Sequence, residues 1–456
     1  MNIAEEILKK ANPSAPAVLH GDQITTYDDL ERRSALVTEK LRPAIANKPA
    51  ARVGLSCPDS ADYIAMALGI LRAGGCFVPL APELAEPERQ KLTEEVALDA
   101  VLRCDKNGEI HIEQIPPRPA EPPWLKELEK LAPAFIRFSS GTTGDSKGIV
   151  LSHRTLLERI TAANTGLTIS PEDRVLWVLP MSHHFAVSIM LYLWQGAAVV
   201  LPESHLAGDI LGAAARHTAT VFYAAPFHFE SLAGSATDHW PALRLAVSTT
   251  AGLSTETARR FAEIHGVFPA QALGIIECGL PCLNLPSPEN LPQSVGRPQP
   301  AFEAELRGEP AKLHLRGPGF LDAYLSPWKP RAEILDAEGW FATGDIASID
   351  AKGRVALLGR AAAVIGVGGM KFFPEEVEEV LNSHPAVQRS RVYGRPHPDF
   401  GMVPVAELLL RADAITPKNS EIFALCRRQL SRHKIPAEIR FVDDIPLTPS
   451  GKIKRA

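Results

Sequence analysis

Cysteine is scarce in this chain: 6 among 456 residues, with no two forming a C-x-x-C pair. That excludes a disulfide scaffold and the common zinc spacings. The nearest two, Cys278 and Cys282, enclose Pro281 and have no histidine at ligand spacing, so buried free thiols are expected there. Neither sign of charge is in excess. Basic residues number 48 against 53 acidic ones, a formal net charge of −5, which gives no basis for general binding to nucleic acid or to an anionic membrane. Long apolar runs are also missing. The longest uncharged stretch, Phe185 to Leu201, falls short of a bilayer span and is broken by Ser188, Gln195 and Gly196. A buried helix stopping at Gly196, followed by a strand Ala197–Leu201, is expected instead. The N-terminus is acidic without an apolar segment, so no signal peptide is expected, and a reducing, cytoplasmic location fits.

What remains is an ordinary globular composition, 45% hydrophobic and 22% charged, long enough for about three folding units. The first hundred residues alternate between strand and helix patterns. Thr26-Tyr-Asp-Asp29 has the form of a capping box and opens a helix to about Leu41. A strand Arg52–Ser56, a helix from about Ser60 to Arg72 closing on Gly74-Gly75, and a strand Cys76–Leu80 make a βαβ unit, which implies a parallel sheet. Residues 105–124 are polar and proline-rich and read as a surface connection. Alternation resumes to about residue 280, shorter strands with Gly and Pro turns follow over 295–358, and 361–456 carries two helical patterns, Pro374–Ser383 and Asn419–His433, between strands. The fold class expected is α/β: a large N-terminal domain of α/β subdomains with parallel sheets plus a small β-rich subdomain, and a small α+β C-terminal domain.

The most informative segment is Phe135-Ile-Arg-Phe-Ser-Ser-Gly-Thr-Thr-Gly-Asp-Ser-Lys-Gly148. An apolar strand runs into a loop holding Ser139, Ser140, Gly141, Thr142, Thr143, Gly144 and Lys147. Small residues let backbone N–H groups approach an anion, hydroxyls add donors, and lysine adds positive charge, which is the chemistry of holding phosphates. It is not a Walker loop, because the lysine precedes Gly148 instead of following a glycine and preceding Ser/Thr.

This loop resembles the Ser/Thr-Ser/Thr-Gly-Thr-Thr-Gly-x-x-Lys-Gly signature of the adenylate-forming superfamily, which includes acyl- and aryl-CoA ligases. Further motifs resemble that family in order: Leu71–Leu80, Gly339-Trp-Phe-Ala-Thr-Gly-Asp345, Gly359-Arg360, Gly368-Gly369, Pro374–Glu378, and Pro446-Leu-Thr-Pro-Ser-Gly-Lys452. The resemblance implies a 1–358 adenylation domain and a 359–456 cap. It implies ATP, Mg²⁺ and CoA as reactants and cofactor, with phosphopantetheine on a carrier protein as an alternative acceptor. A carboxylic acid, aryl or medium acyl, would become an acyl-adenylate with pyrophosphate release, then a thioester with AMP release. A degenerate adenylate-binding protein is the non-catalytic alternative.

By the same resemblance, residues 139–144 and Lys147 would grip the ATP phosphates, and Leu273 and Gly274 would flank the adenine. Asp345 and Arg360 would hold the ribose, Glu277 the metal, and Lys452 the carboxylate and α-phosphate. His183 would belong to the acid site or to its gate during thiolation, with His184 as its alternative. The acid pocket would draw on His183, His184, Phe185, Phe227, Ser248, Thr249, Thr250, Ala251 and Leu273, and Gly368 and Gly369 would border a tunnel for a pantetheine arm. Met181–Gln195 contains no acidic residue, so a free amino acid is not the expected substrate. Several positions depart from the family pattern. Leu273 stands for a stacking tyrosine and Ile276 for a phosphate-binding threonine. Thr249-Thr250-Ala251-Gly252 replaces Gly-Gly-Ala-Pro, and Ala362 and Gly366 replace charged hinge residues.

Overall fold

The computed structural model describes all residues except 49, 83, 85, 105–108, 117, 119, 139–146, 235–238, 361, 362, 364, 368, 369, 398–400, 448–452, 455 and 456, and only the backbone of 87, 360, 370, 371 and 401. Two compact units emerge. One comprises Met1–Glu303 with Arg316–Phe341, the other Ala304–Leu315 with Ala342–Ala456.

The first unit is built on two mixed sheets. One runs, edge to edge, Arg297–Pro298, Gly279–Leu283, Ala270–Ile275, Leu245–Ser248, Val221–Ala224, Arg174–Trp177, Ala198–Leu201, Pro16–His20 and Gln23–Thr26. Its central strands are parallel and its outer ones antiparallel. The other runs Lys329–Pro330, Ala323–Tyr324, Gly148–Ser152, Pro133–Phe138, Cys76–Pro79, Arg52–Ser56, Ala100–Cys104 and Ile110–Gln114, again parallel at the centre and antiparallel outside. The parallel sheets expected from the βαβ pattern are thus present as the middles of larger mixed ones. Alternation of strand and helix is legible in sequence, whereas a hairpin added at an edge leaves only a short local signal.

Helix boundaries follow the chemistry of their ends. Thr26 caps Tyr27–Ile45 with the full reciprocal box: Asp29 N–H donates to Thr26 Oγ1 at 3.1 Å, and Thr26 N–H donates to Asp29 Oδ2 at 2.9 Å. Ser60 caps Ala61–Arg72, whose residues Tyr63 to Leu71 are all buried. A helix buried on every side must have neighbours on every side. It packs on the strands Arg52–Ser56 and Cys76–Pro79 and on the helices Ile3–Lys10 and Tyr27–Ile45. Gly69 permits the last contact, because a Cβ there would lie 2.5 Å from Val37 Cβ. The run from Phe185 forms a π-helical turn, Phe185–Ile189, then the helix Met190–Gln195, which ends at Gly196 in the left-handed region with φ of 77°. The strand Ala198–Leu201 follows as expected.

Two local expectations are corrected. Within the proline-rich connection, Ile110–Gln114 is an edge strand paired with Ala100–Cys104, its Ile110 and Ile112 alternating with exposed His111 and Glu113. Cys57 and Cys104 are joined by a disulfide with Cα atoms 5.5 Å apart. The parallel register Ser56↔Arg103 puts these next residues side by side, a pairing hidden by a 47-residue separation. Cys278 and Cys282 are buried and free, as expected.

In the second unit Asp345–Ile349, the later part of the strand Phe341–Ile349, pairs antiparallel with Val355–Arg360. A further sheet holds Val387–His397, Gly401–Leu410, Ile365–Val367, Met370–Phe372 and Glu438–Val442. The helices Pro374–Asn382 and Asn419–Gln429 contribute Val377, Leu381, Ile422 and Cys426 to a core with Val392, Ala406 and Leu408.

Candidate active site

Ligands of open α/β sheets bind beyond the carboxyl ends of the strands. In the first unit those ends carry the expected site residues. Pro133–Phe138 leads to residues 139–144, which lie outside the described residues, and then to Lys147. Arg174–Trp177 leads to the short helix Met181–His184. Val221–Ala224 leads to Phe227, Leu245–Ser248 to Thr249, Thr250 and Ala251, and Ala270–Ile275 carries Leu273 and Gly274 and leads to Glu277.

Lys147 and Glu277 are linked through Tyr324. The Lys147 Nζ lies 4.8 Å from the centroid of the Tyr324 ring, and the Tyr324 hydroxyl donates to Glu277 Oε1 at 3.2 Å. Burial and the neighbouring Glu277 carboxylate both push the Tyr324 pKa up, so the phenol stays a donor. The turn presenting Glu277 is held from behind by Arg159, a fully buried side chain of the helix His153–Leu167. Its guanidinium donates to Ile276 O at 2.7 Å, Glu277 O at 3.2 Å and twice to Gly319 O, at 3.0 and 2.7 Å. Gly279 and Gly319, both with positive φ, leave room for it: a Cβ on Gly319 would stand 2.7 Å from the Arg159 backbone. Burial lowers the Arg159 pKa to about 10, which leaves it charged at neutral pH.

His183 meets a second arginine. Arg137, near the end of Pro133–Phe138, donates to the His183 carbonyl, and its Nη2 lies 2.7 Å from His183 Nδ1. The helix that carries His183 is anchored by Asp59, whose carboxylate accepts from Met181 N–H at 3.0 Å. His184 packs instead against the Trp177 ring, 5.7 Å between centroids, with Tyr223 stacked on the same indole at 5.8 Å. Phe227 packs on His228 at 3.7 Å. Buried polar atoms without a partner among the described residues gather at these strand ends: Trp177 Nε1, Ser182 Oγ, His183 Nε2, Ser248 Oγ and Thr250 Oγ1. Such atoms cost about 1–3 kcal/mol each unless a ligand or water completes them, so this region has polar groups suited to a ligand.

The departures from the family pattern take physical form. Leu273 is buried and offers an apolar face without π-electrons. Thr249 is buried, and a Cβ on Gly274 would meet its Oγ1 at 3.4 Å. Ala251 is exposed. Thr250 has φ of 78°, a region a β-branched residue enters only under strain. Thr250→Gly is therefore expected to raise stability by about 1 kcal/mol, the reverse of an ordinary Thr→Gly change. An increase in the urea midpoint tests this, and a decrease would show that the loop is not strained.

In the second unit, Asp345 is 5% exposed, and its N–H donates to Thr343 Oγ1 at 3.0 Å. Its register partner across the sheet is Arg360, so the two expected ribose ligands are direct neighbours on adjacent strands. Lys452, Gly368, Gly369 and Ala362 lie outside the described residues. The flanks of Lys452 are tied down: Leu447 bridges Ile453, Lys454 N–H donates to Pro446 O at 2.9 Å, and Arg391 donates to Lys454 O at 3.0 Å. Sequence reading missed Arg137, Arg159 and Tyr324. For Arg137 a signal existed, a lone charge inside Phe135-Ile-Arg-Phe138. The other two gave none.

The donor set also bears on magnesium. Among the described residues no group of three or more His, Cys, Asp or Glu could hold a metal ion. One half-buried carboxylate, Glu277, is linked to Lys147 through Tyr324. Mg²⁺ is commonly held by one or two carboxylates together with substrate phosphates, so Glu277 fits an ion shared with ATP.

Comparison with known proteins agrees with this layout. The AMP-binding enzyme family matches residues 6–325, and the AMP-binding enzyme C-terminal domain matches residues 376–452. The chain is 26% identical to feruloyl-CoA synthase of Amycolatopsis sp, over 97% of this chain and 95% of that protein. It is 32% identical to sulfoacetate–CoA ligase of Cupriavidus necator, over 71% of this chain and 66% of that one. Its fold is similar to that of o-succinylbenzoate CoA synthetase from Bacillus subtilis in complex with its acyl-adenylate, with a TM-score of 0.86, 23% identity, and coverage of 100% and 97% of the two chains. The chain therefore belongs to the AMP-binding enzyme family, as an enzyme of the AMP-forming acid–CoA ligase type.

Proposed function

We propose that this enzyme activates an aryl or medium acyl carboxylic acid with ATP and transfers the acyl group to the thiol of CoA. In the first step an oxygen of the acid attacks the α-phosphorus, the bond to pyrophosphate breaks, and an acyl-adenylate forms. In the second the thiol sulfur attacks the acyl carbon, AMP leaves with the bonding pair, and the thiol proton is released to solvent. The protein's task is charge neutralisation and alignment. In this reading residues 139–144 and Lys147 hold the phosphates, Asp345 and Arg360 the ribose, and Leu273 and Gly274 the adenine. Lys452 bridges acid and α-phosphate in adenylation, and Gly368 and Gly369 border the pantetheine path. Mg²⁺ held by Glu277 with the ATP phosphates would offset their negative charge. The functional division falls at Gly359-Arg360, giving domains 1–358 and 359–456, the second of which turns between the steps. Both co-substrates are cytoplasmic, and so is the proposed location.

The observation that supports this most is the Lys147–Tyr324–Glu277 chain, which joins the phosphate loop to a carboxylate suited to magnesium. The acid pocket mixes apolar, aromatic and hydroxyl groups, which suits aryl or medium acyl chains. Trapping with hydroxylamine over aryl and C2–C16 acids tests the proposal. A hydroxamate formed from one class of acid, only with ATP, supports it. ATP binding with no hydroxamate from any acid refutes it in favour of a non-catalytic adenylate-binding protein.

A further inference from the structure

Histidine can present either ring nitrogen as a donor, and what it does in a site depends on which. At His183 the choice is made by a neighbour. Arg137 Nη2 lies 2.7 Å from Nδ1, and a guanidinium has only donors, so Nδ1 must be the acceptor of that bond. A proton on Nδ1 would face an N–H at hydrogen-bond distance. Both the imidazolium and the Nδ1–H tautomer are thereby excluded while Arg137 is in place. The proton of the neutral ring then belongs to Nε2, the atom that is buried and has no partner among the described residues.

We propose that Arg137 is a positioning residue that locks His183 as its Nε2–H tautomer, so that His183 serves the acid site as a fixed, uncharged hydrogen-bond donor to a substrate oxygen and not as a general base. The inference rests on the reading that His183 lines the acid site. The second bond from Arg137, to the His183 carbonyl, fixes the residue at two points, so ring orientation and tautomer are set together. The site's other charged and titratable groups reinforce this. Tyr63, from the helix Ala61–Arg72, is fully buried, and burial keeps it a neutral phenol. Burial lowers the Arg137 pKa to about 10, against the opposing pull of the Glu277 carboxylate, which favours the charged form. Asp59 is engaged with Met181 N–H, and His184 faces Trp177. Burial first, and then the Arg137 charge, lower the His183 pKa to about 3, so the ring is neutral throughout the working range. A neutral donor suits an anionic carboxylate and leaves its nucleophilicity largely intact, whereas an imidazolium would hold the oxygen as a salt bridge.

The test is a measurement on the unmodified protein, with two variants beside it. Long-range ¹⁵N–¹H spectra of the histidine-labelled protein, with His183 assigned by His183→Gln, report the tautomer directly. The Nε2–H form, unchanged from pH 5 to 8, is expected. The Nδ1–H form, or protonation in that range, would overturn the proposal. Arg137→Met should shift His183 toward a mixture of tautomers and raise its pKa, and should raise the KM for the acid by about tenfold, the effect of about 1.4 kcal/mol, with the KM for ATP within about twofold. An unchanged tautomer in a folded Arg137→Met protein would also overturn it. His183→Gln, whose amide nitrogen falls near Nε2, should retain more activity than His183→Asn, whose nitrogen falls near Nδ1, and the reverse order would contradict the donor role. Failure of the functional reading looks different: the Nε2–H tautomer would be seen with no acid giving a hydroxamate.

Discussion

Replacing Lys452 with alanine is expected to lower acyl-adenylate formation by about 10²–10³-fold, the usual effect of removing one electrostatic contact made at the transition state. The reason is where charge builds up. An anionic carboxylate approaches an anionic α-phosphate, and one cation between them lowers the barrier without forming a bond. Thiolation presents no such meeting of anions, because the acyl-adenylate is attacked at a carbonyl carbon. When the acyl-adenylate is supplied ready-made, the variant should convert it to the thioester within about threefold of the normal rate. The split between the steps carries the information. An equal loss in both would mean that Lys452 supports folding of the C-terminal segment, and normal adenylation would remove it from the chemistry. Lys454 and Arg455, the other cations of the tail, serve as controls, and alanine there should leave both steps largely intact.

The second large effect is expected at Arg159, which braces the turn that presents Glu277. Its guanidinium is the donor for Ile276 O and Gly319 O in a buried setting and braces the Glu277 carbonyl as well. Leu321 N–H also donates to Glu277 O at 2.8 Å, so that carbonyl keeps a partner when the arginine is lost, but the other two lose a donor. Arg159→Met keeps most of the stem and leaves those carbonyls unsatisfied, at about 1–3 kcal/mol each, partly offset because a buried cation no longer has to be desolvated. A net loss of about 3 kcal/mol is expected, read as a lower urea midpoint. Lysine should not rescue it, because a single ammonium cannot span three carbonyls on two chain segments. With the turn loosened, Glu277 loses its fixed place, and the variant should need more Mg²⁺ for half-maximal adenylation while its KM for the acid changes little. A rise in both together would indicate general loosening of the first unit instead.

The sequence made much of this legible, unevenly and for physical reasons. The capping box at Thr26–Asp29, βαβ alternation and the helix stop at Gly196 are local signals, and each marked an element within a few residues of its place. Lys147, Glu277, Asp345 and Arg360 sit in short motifs whose residue types suit phosphates, metals and diols. The arginines at 137 and 159 work through contacts 46 and 117 residues or more away, and no spacing rule reaches that far. Tyr324 lies in a two-residue strand paired between Lys329–Pro330 and Gly148–Ser152, so its approach to Lys147 and Glu277 is a product of sheet topology. The Cys57–Cys104 pair is of the same kind, set by strand register and invisible to a search for C-x-x-C. Two branched residues stand where the family pattern has glycines, yet only the backbone shows that Thr250 takes a positive φ.

The central claim is that the enzyme forms an acyl-adenylate reversibly before any thiol is involved. Exchange of labelled pyrophosphate into ATP, measured without CoA over the acid panel that gives hydroxamates, tests it most directly. Exchange that depends on both acid and Mg²⁺ and is lost in Lys452→Ala is the result this account requires. Thioester formation from acid, ATP and CoA with no pyrophosphate exchange, or with ADP and phosphate as products, would contradict it.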